Sequence, residues 1–383
     1  MTRKVAVVGL GWSGFRPLTP EVSYRELTFE AATRAYSDAG IDPRKDVQGF
    51  VTAAEDYHEG TSIFDEYTPD QLGAALRPMH TITGDGLHAL AAAYMQIASG
   101  LMNVVVVEAH SKASNINTLS DITAFGLDPV VERPLAAHPS FIAGLEMQAL
   151  IAAKRFTLPQ CGTVSVKNKR NALANLHASF AANIKLHDVL ESAPIAEPIT
   201  KLMAAQHTDG CVVLVLADED TARALKGKPI WIRGLGWSND SPALDSRAWN
   251  EARYARKAGA MAYHTANIRS PRTEIDFAEV DDTFAFKELV NLEALRLARE
   301  GEAGSWTAEG GTERGGEFPV NPSGGNLGVG SLLDAAGLAR AMEVVLQLRG
   351  EAGARQLPKA NTGLAFAWRG LPTTSGVAVV FGN

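Results

Sequence analysis

The chain has 383 residues, a formal net charge of -7, a pI near 5.8, and 46% hydrophobic and 21% charged residues. This is the composition of an ordinary globular protein with room for two core-forming units, and its acidic balance argues against a nucleic-acid or anionic-membrane surface. Apolar runs such as Val104 to Val107 and Val212 to Leu216 fall far short of the roughly 20 residues that cross a bilayer, so no membrane association is expected.

From the N-terminus, Met1 and Thr2 lead through Arg3 and Lys4 into the strand-like run Val5 to Val8 without the pattern of a signal peptide, and a cytoplasmic location is expected. Gly9-Leu10-Gly11-Trp12-Ser13 then reads as a glycine turn closing a buried strand. With Gly14 this string matches Gly-x-Gly-x-x-Gly, but Pro17 and Pro20 stand where a pyrophosphate-binding helix would run, so it is read as a turn. His80 and His88 are read as core or surface histidines. Gly86 to Ser99 has helical spacing, Gly100 stops it, and Val104 to Val107 forms a central strand. The stretch from about 111 to 140 breaks the pattern, as does glycine-rich 301–316, and such insertions commonly border a site.

Lys167-Asn168-Lys169-Arg170-Asn171 reads either as a contact for a cofactor phosphate or as a solvated helix face. The only cysteines, Cys161 and Cys211, fall on a helix and a buried strand and are read as packing thiols; no metal site is expected. The apolar strand Cys211 to Ala217 ends the first half, and the polar connection Asp218 to Lys228 follows.

The second half then repeats the first. Ile230 to Arg233 precedes a second Gly234-Leu235-Gly236-Trp237-Ser238; Leu332 to Leu348 is an alanine-rich helix stopped by Gly350; Gly363 to Ala367 and Val377 to Phe381 are apolar strands. A duplicated layered α/β architecture follows, with halves at 1–222, carrying the insertion at about 111–140, and at 228–383.

Several strings resemble the thiolase family, in particular its sterol-carrier-protein-type and archaeal branch. These are Glu274 to Phe284, Asn321-Pro322-Ser323-Gly324-Gly325, Gln347-Leu348-Arg349-Gly350, Thr208-Asp209-Gly210-Cys211 and Val166 to Ala172, in the family's order along essentially the whole chain. The resemblance implies a five-layer αβαβα thiolase fold, a coenzyme A thioester as ligand with no tightly bound cofactor, and a homodimer or a heteromer with a thiolase paralogue. It also implies a small zinc-ribbon/OB-fold partner, as several relatives have.

The resemblance also locates departures. The family's nucleophilic cysteine falls at Thr83, whose hydroxyl has a far higher pKa than a thiol. One family histidine falls at Asp281 beside Asp282, placing an acceptor where an oxyanion needs a donor. The other falls at Ser331, which removes the general base, and the last family cysteine has no counterpart in Ala367 to Gly376. The loop containing Gly324, Gly325, Asn326 and Gly330 remains the candidate for close approach to a ligand.

The leading expectation is therefore a thiolase-like subunit of an acyl-CoA-processing complex that cannot itself perform standard Claisen or thiolysis chemistry. One alternative is a β-hydroxyacyl-CoA retro-aldol lyase working with a zinc-ribbon/OB-fold partner, with Asp281 or Asp282 as base. The other is an acyltransferase using Thr83 or Ser331 as a non-standard nucleophile.

Overall fold

The computed structural model describes residues 3–59, 64–371 and 374–383. Met1, Thr2 and, within the run Ala367 to Gly376, Pro372 and Thr373 lie outside the described residues. Among the described residues, nine strands form one sheet: β1 (Val5–Arg16), β2 (Gly49–Ala53), β3 (Met79–Ile82), β4 (Val104–Ser111), β5 (Asp209–Asp218), β6 (Ile230–Asn239), β7 (Phe277–Glu279), β8 (Thr362–Gly370) and β9 (Thr374–Gly382). Their order is β3-β2-β4-β5-β1-β6-β9-β8-β7.

The sheet is two copies of one pattern joined at β1 and β6, which share only the short register Ala6↔Trp231 and Val7↔Ile230. On one side β2 runs parallel to β4, which pairs antiparallel with β5, which pairs antiparallel with β1. On the other side β7, β8, β9 and β6 repeat those relations in the same sequence. A parallel bridge from Ala278 to Val320 stands where β3 stands in the first half.

Helix α1 (Tyr24–Ala39) covers the first half-sheet and α4 (Arg253–Ala266) the second. Between them α2 (Gly86–Ala98) and α6 (Ala336–Arg349) pack together in a central layer, while α3 (Leu158–Asn171) and α5 (Ala285–Ala294) flank the second half. One apolar core holds Val5, Leu87, Val105, Leu338 and Val379 together, so the central helices are buried by strands of both halves. Local signals set the ends: a Ser23–Glu26 capping box starts α1, and left-handed Gly40 and Gly350 stop α1 and α6. The alanine-rich run expected as one helix from Leu332 instead opens with a 3-10 turn, Leu333–Ala335, before α6 begins.

The repeated Gly-Leu-Gly-Trp-Ser string is not a turn. In both halves it continues the strand, β1 and then β6, and its glycines seat a helix. A Cβ on Gly11 would lie 2.1 Å from the Ala31 carbonyl oxygen, and one on Gly236 would lie 2.2 Å from that of Ala258. The signal was misread because strand glycines that admit a helix look, in sequence, like glycines that reverse the chain. The polar connection after β5 contains the short helix Glu219–Ala224 and leads into β6.

Gly11→Ala and Gly236→Ala are each expected to destabilise the protein by about 1–3 kcal/mol through overpacking, read as a lower denaturant midpoint. Gly315→Ala, with nothing within 4 Å of its added Cβ, should leave the midpoint in place.

Candidate active site

A cavity of about 420 Å³ lies where loops from both halves meet. The first half contributes Glu55 and His58, just beyond the C-terminal end of β2, and Asp85 at the head of α2. The second half contributes Asp281, Thr283, Phe284, Ser331, Asp334, Trp368 and Arg369. The insertion covers it with Leu119, Ser120, Thr123 and His138 to Ser140, and a second hollow of about 470 Å³ shares Ser120, His138 and Pro139 with it.

Asp85 is the structural centre of this site. Its Oδ1 accepts from Leu87 N at 2.8 Å, capping α2, and its Oδ2 accepts from Gly337 N at 2.7 Å in the first turn of α6. Burial pushes its pKa up to about 7, against the opposing pull of Arg340 and the two backbone donors. His207 also lines the cavity; burial, followed by the charge of His58, lowers its pKa to about 4, so it is neutral near pH 7. Its Nδ1 has no hydrogen-bond partner among the described residues.

Two polar pairs bridge the halves. His58 Nδ1 lies 3.0 Å from Asp334 Oδ1, and the other Asp334 oxygen accepts from Glu55 N at 2.7 Å. The Glu55 carboxylate is paired with Arg369. Trp368 forms a wall, and the buried Lys287 ammonium sits 3.9 Å from its ring centroid while bonding both Glu146 oxygens at 2.6 and 2.7 Å.

The residues singled out from sequence divide. Asp281 and Ser331 line the cavity. Asp281 is committed: it accepts from Thr283 N at 3.0 Å and from Thr283 Oγ1 at 3.2 Å and is ion-paired with Arg340. Asp282 points away from the cavity and accepts from Asn326 N at 2.6 Å, Leu327 N at 3.2 Å and Asn168 Nδ2 at 2.8 Å. Its pKa is raised to about 7, first by burial. Thr83 is exposed in the bend between β3 and α2 and does not line the cavity. His80 is exposed, and His88, in the first turn of α2, is partly buried with its pKa lowered to about 4 by burial.

Gly324, Gly325, Asn326 and Gly330 do not line the cavity either. They are packing positions. A Cβ on Gly324 would lie 2.5 Å from the Ala172 Cβ, and one on Gly325 would lie 2.2 Å from Asp282 Oδ2. The polar run on α3 follows neither of its two readings: Lys167, Asn168 and Lys169 are buried. Lys167 pairs with Glu288 and donates to the Val320 carbonyl, and Lys169 donates to the Leu327 carbonyl, so the run ties α3 to the second half.

Sequence reasoning missed His58, Asp85, His207, Asp334 and Arg369. The available signal was position: Glu55 and His58 directly follow an apolar strand, and sites in parallel α/β sheets gather beyond the carboxyl ends of strands. Among the described residues, no group of three or more His, Cys, Asp or Glu side chains is placed to hold a metal ion. No helix there is long and apolar enough to cross a membrane.

Residues 236–383 match the family model described as Thiolase C-terminal domain-like. The acetyl-CoA acetyltransferase of Methanocaldococcus jannaschii is 30% identical over 359 residues, spanning 91% of this chain and 90% of that one. The chain belongs to the thiolase superfamily. The 17-hydroxy-3-oxo-4-pregnene-20-carboxyl-CoA lyase of Mycobacterium tuberculosis is 28% identical over 364 residues, covering 91% of this chain and 92% of the lyase. The solved structure of the Ltp2-ChsH2(DUF35) aldolase superposes with a TM-score of 0.84 at 25% identity, covering 100% of this chain and 98% of that one. This thiolase relative has its thiols elsewhere: Cys161 and Cys211 are fully buried outside the cavity, and burial raises both pKa values, that of Cys161 to about 12.

Because folded Asp85 keeps a proton that the unfolded chain releases near pH 4, its contribution to stability falls as pH rises from about 4 to 7. Denaturant unfolding of wild type and Asp85→Asn at about pH 4.5 and pH 8 should show the difference shifting toward the variant at high pH, by on the order of a few kcal/mol. A difference independent of pH would contradict the assigned protonation.

Proposed function

We propose that the chain is a lyase that cleaves a β-hydroxyacyl-CoA thioester by retro-aldol chemistry, with no acyl-enzyme intermediate. The observation that carries this reading is the make-up of the cavity: it is lined with carboxylates, histidines and arginine, and neither of the chain's two cysteines reaches it. Thiolysis needs a thiolate to take up the acyl group. Retro-aldol cleavage needs only a base for the β-hydroxyl proton and a means of protonating the enolate. The base takes the hydroxyl proton, the electron pair of the broken O–H bond forms the Cβ=O bond, and the Cα–Cβ bond breaks with its pair becoming the thioester enolate, which then takes a proton at Cα. The lyase and aldolase named above support the same reading, since each is similar over nearly its full length.

The coenzyme A thioester is the ligand class, and the hollow beside the cavity, where Ala124, Phe125, Leu127 and Pro139 lie among polar groups, offers room for the acyl part. The second component in the name of the aldolase supports a small partner protein for this chain as well. The subunit reading, in which a thiolase paralogue does the chemistry, differs in outcome because the chain would then bind but not cleave.

The test is product analysis by mass spectrometry after incubation with β-hydroxyacyl-CoA substrates, with and without a co-purified partner. A shortened acyl-CoA and an equimolar aldehyde or ketone are expected, and a variant carrying Cys161→Ala and Cys211→Ser should keep kcat within about threefold, since no acyl-enzyme forms. Absence of cleavage under every partner condition, or loss of turnover in the cysteine variant, would overturn the reading.

A further inference from the structure

We infer that Asp85 is the acid–base residue of this site: its carboxylate takes the β-hydroxyl proton, and its carboxyl group then delivers that proton to Cα of the enolate. The inference rests on the lyase reading.

Asp85 begins as a helix cap. Aspartate is among the preferred residues before a first helical turn, and here its Oδ1 accepts from Leu87 N at 2.8 Å. Gly86 and Gly337 let a second helix close over it, so that the residue is only 5% exposed and Oδ2 accepts from Gly337 N at 2.7 Å. It nonetheless lines the cavity. A carboxylate oxygen has about two acceptor sites, so each oxygen keeps one after its bond to the backbone.

The carboxylates around the cavity differ in what binds them. Asp281 is ion-paired with Arg340, Glu55 is paired with Arg369, and Asp334 faces His58 Nδ1 at 3.0 Å. Protonating any of these takes away a charge that faces a basic group, which is unfavourable in a buried site. Among the described residues Asp85 has no ion pair. Its two bonds come from neutral N–H groups, and a protonated carboxyl still has acceptor capacity for both.

Two charged groups act on it across short distances, Arg340 of α6 and Asp281 from the loop after β7. Burial raises the pKa of Asp85 to about 7; Arg340 and the two backbone donors oppose that rise, and Asp281 adds to it. A group titrating near the working pH can both accept and return a proton. His207, with its pKa lowered to about 4 by burial, holds a proton too weakly for the second step.

One carboxyl group can serve both steps, because the β-oxygen and Cα are both bonded to Cβ. As Asp85 takes the proton, the O–H pair forms the Cβ=O bond and the Cα–Cβ pair becomes the enolate. The same proton then passes from Asp85 to Cα. The carboxylate is restored, and no other reagent is consumed.

The test uses the full chain with its partner and a β-hydroxyacyl-CoA that wild type cleaves. Asparagine caps a helix as well as aspartate does, so Asp85→Asn keeps an acceptor for Leu87 N but carries no proton. It should lower kcat roughly 10²- to 10⁴-fold and change KM by less than about threefold, with circular dichroism and a thermal midpoint showing a folded protein under assay conditions. In wild type the carboxylate starts the reaction, so kcat should be level above about pH 7 and fall roughly tenfold per pH unit below it. The kinetic pKa should hardly move with assay temperature, as is usual for a carboxyl group and not for an imidazole. If Asp85→Asn does not fold, this wild-type profile decides. Cleavage by folded Asp85→Asn at the wild-type rate, a kcat that is flat across neutral pH, or a kinetic pKa with the strong temperature dependence of an imidazole overturns the assignment and leaves the lyase reading intact. Failure of wild type itself to cleave overturns both.

Discussion

One buried carboxylate holds the two halves of this protein in register. Asp85 accepts hydrogen bonds from the first turns of both central helices, one from each half. The contact is close enough that a Cβ on Gly337 would lie 1.8 Å from Asp85 Oδ1, and one on Gly86 would lie 2.5 Å from Leu338. Two helix N-termini favour a negative charge at this point, whereas burial opposes it, and the balance leaves a group titrating near neutrality. The junction joins the heads of both central helices beside the cavity.

Around the junction the duplicated fold is held by the same kinds of contact in each half. Glycines in β1 and β6 seat α1 and α4 in equivalent ways, and buried α3 groups bond α5 and the loop before α6. Strings that resemble those of thiolases serve as packing here: Gly324, Gly325 and Lys167 keep helices in contact. The residues singled out from sequence are an exposed threonine, an arginine-bound aspartate and a serine.

Much of the fold was legible from the sequence because duplication is a pattern and patterns survive without coordinates. The repeated string, the alanine-rich helices ending at Gly100 and Gly350, and the apolar strands all marked elements that exist. The misreadings share a cause: whether Gly11 reverses a chain or admits Ala31, and whether Lys167 faces water or Glu288, is decided by a partner remote in sequence. The cavity lining was legible only where a resemblance supplied positions, as for Asp281 and Ser331. His58 and Asp334 meet across the two halves, and no local spacing records that meeting.

The central claim is carbon–carbon cleavage without acyl transfer to the protein or to a second thiol. The most direct measurement is the rate of β-hydroxyacyl-CoA cleavage with all free coenzyme A removed, followed as acyl-CoA product over several turnovers. The account predicts sustained turnover at a rate independent of added coenzyme A. Cleavage that stops after one equivalent and resumes only when coenzyme A is restored would contradict it and return the protein to acyl-transfer chemistry.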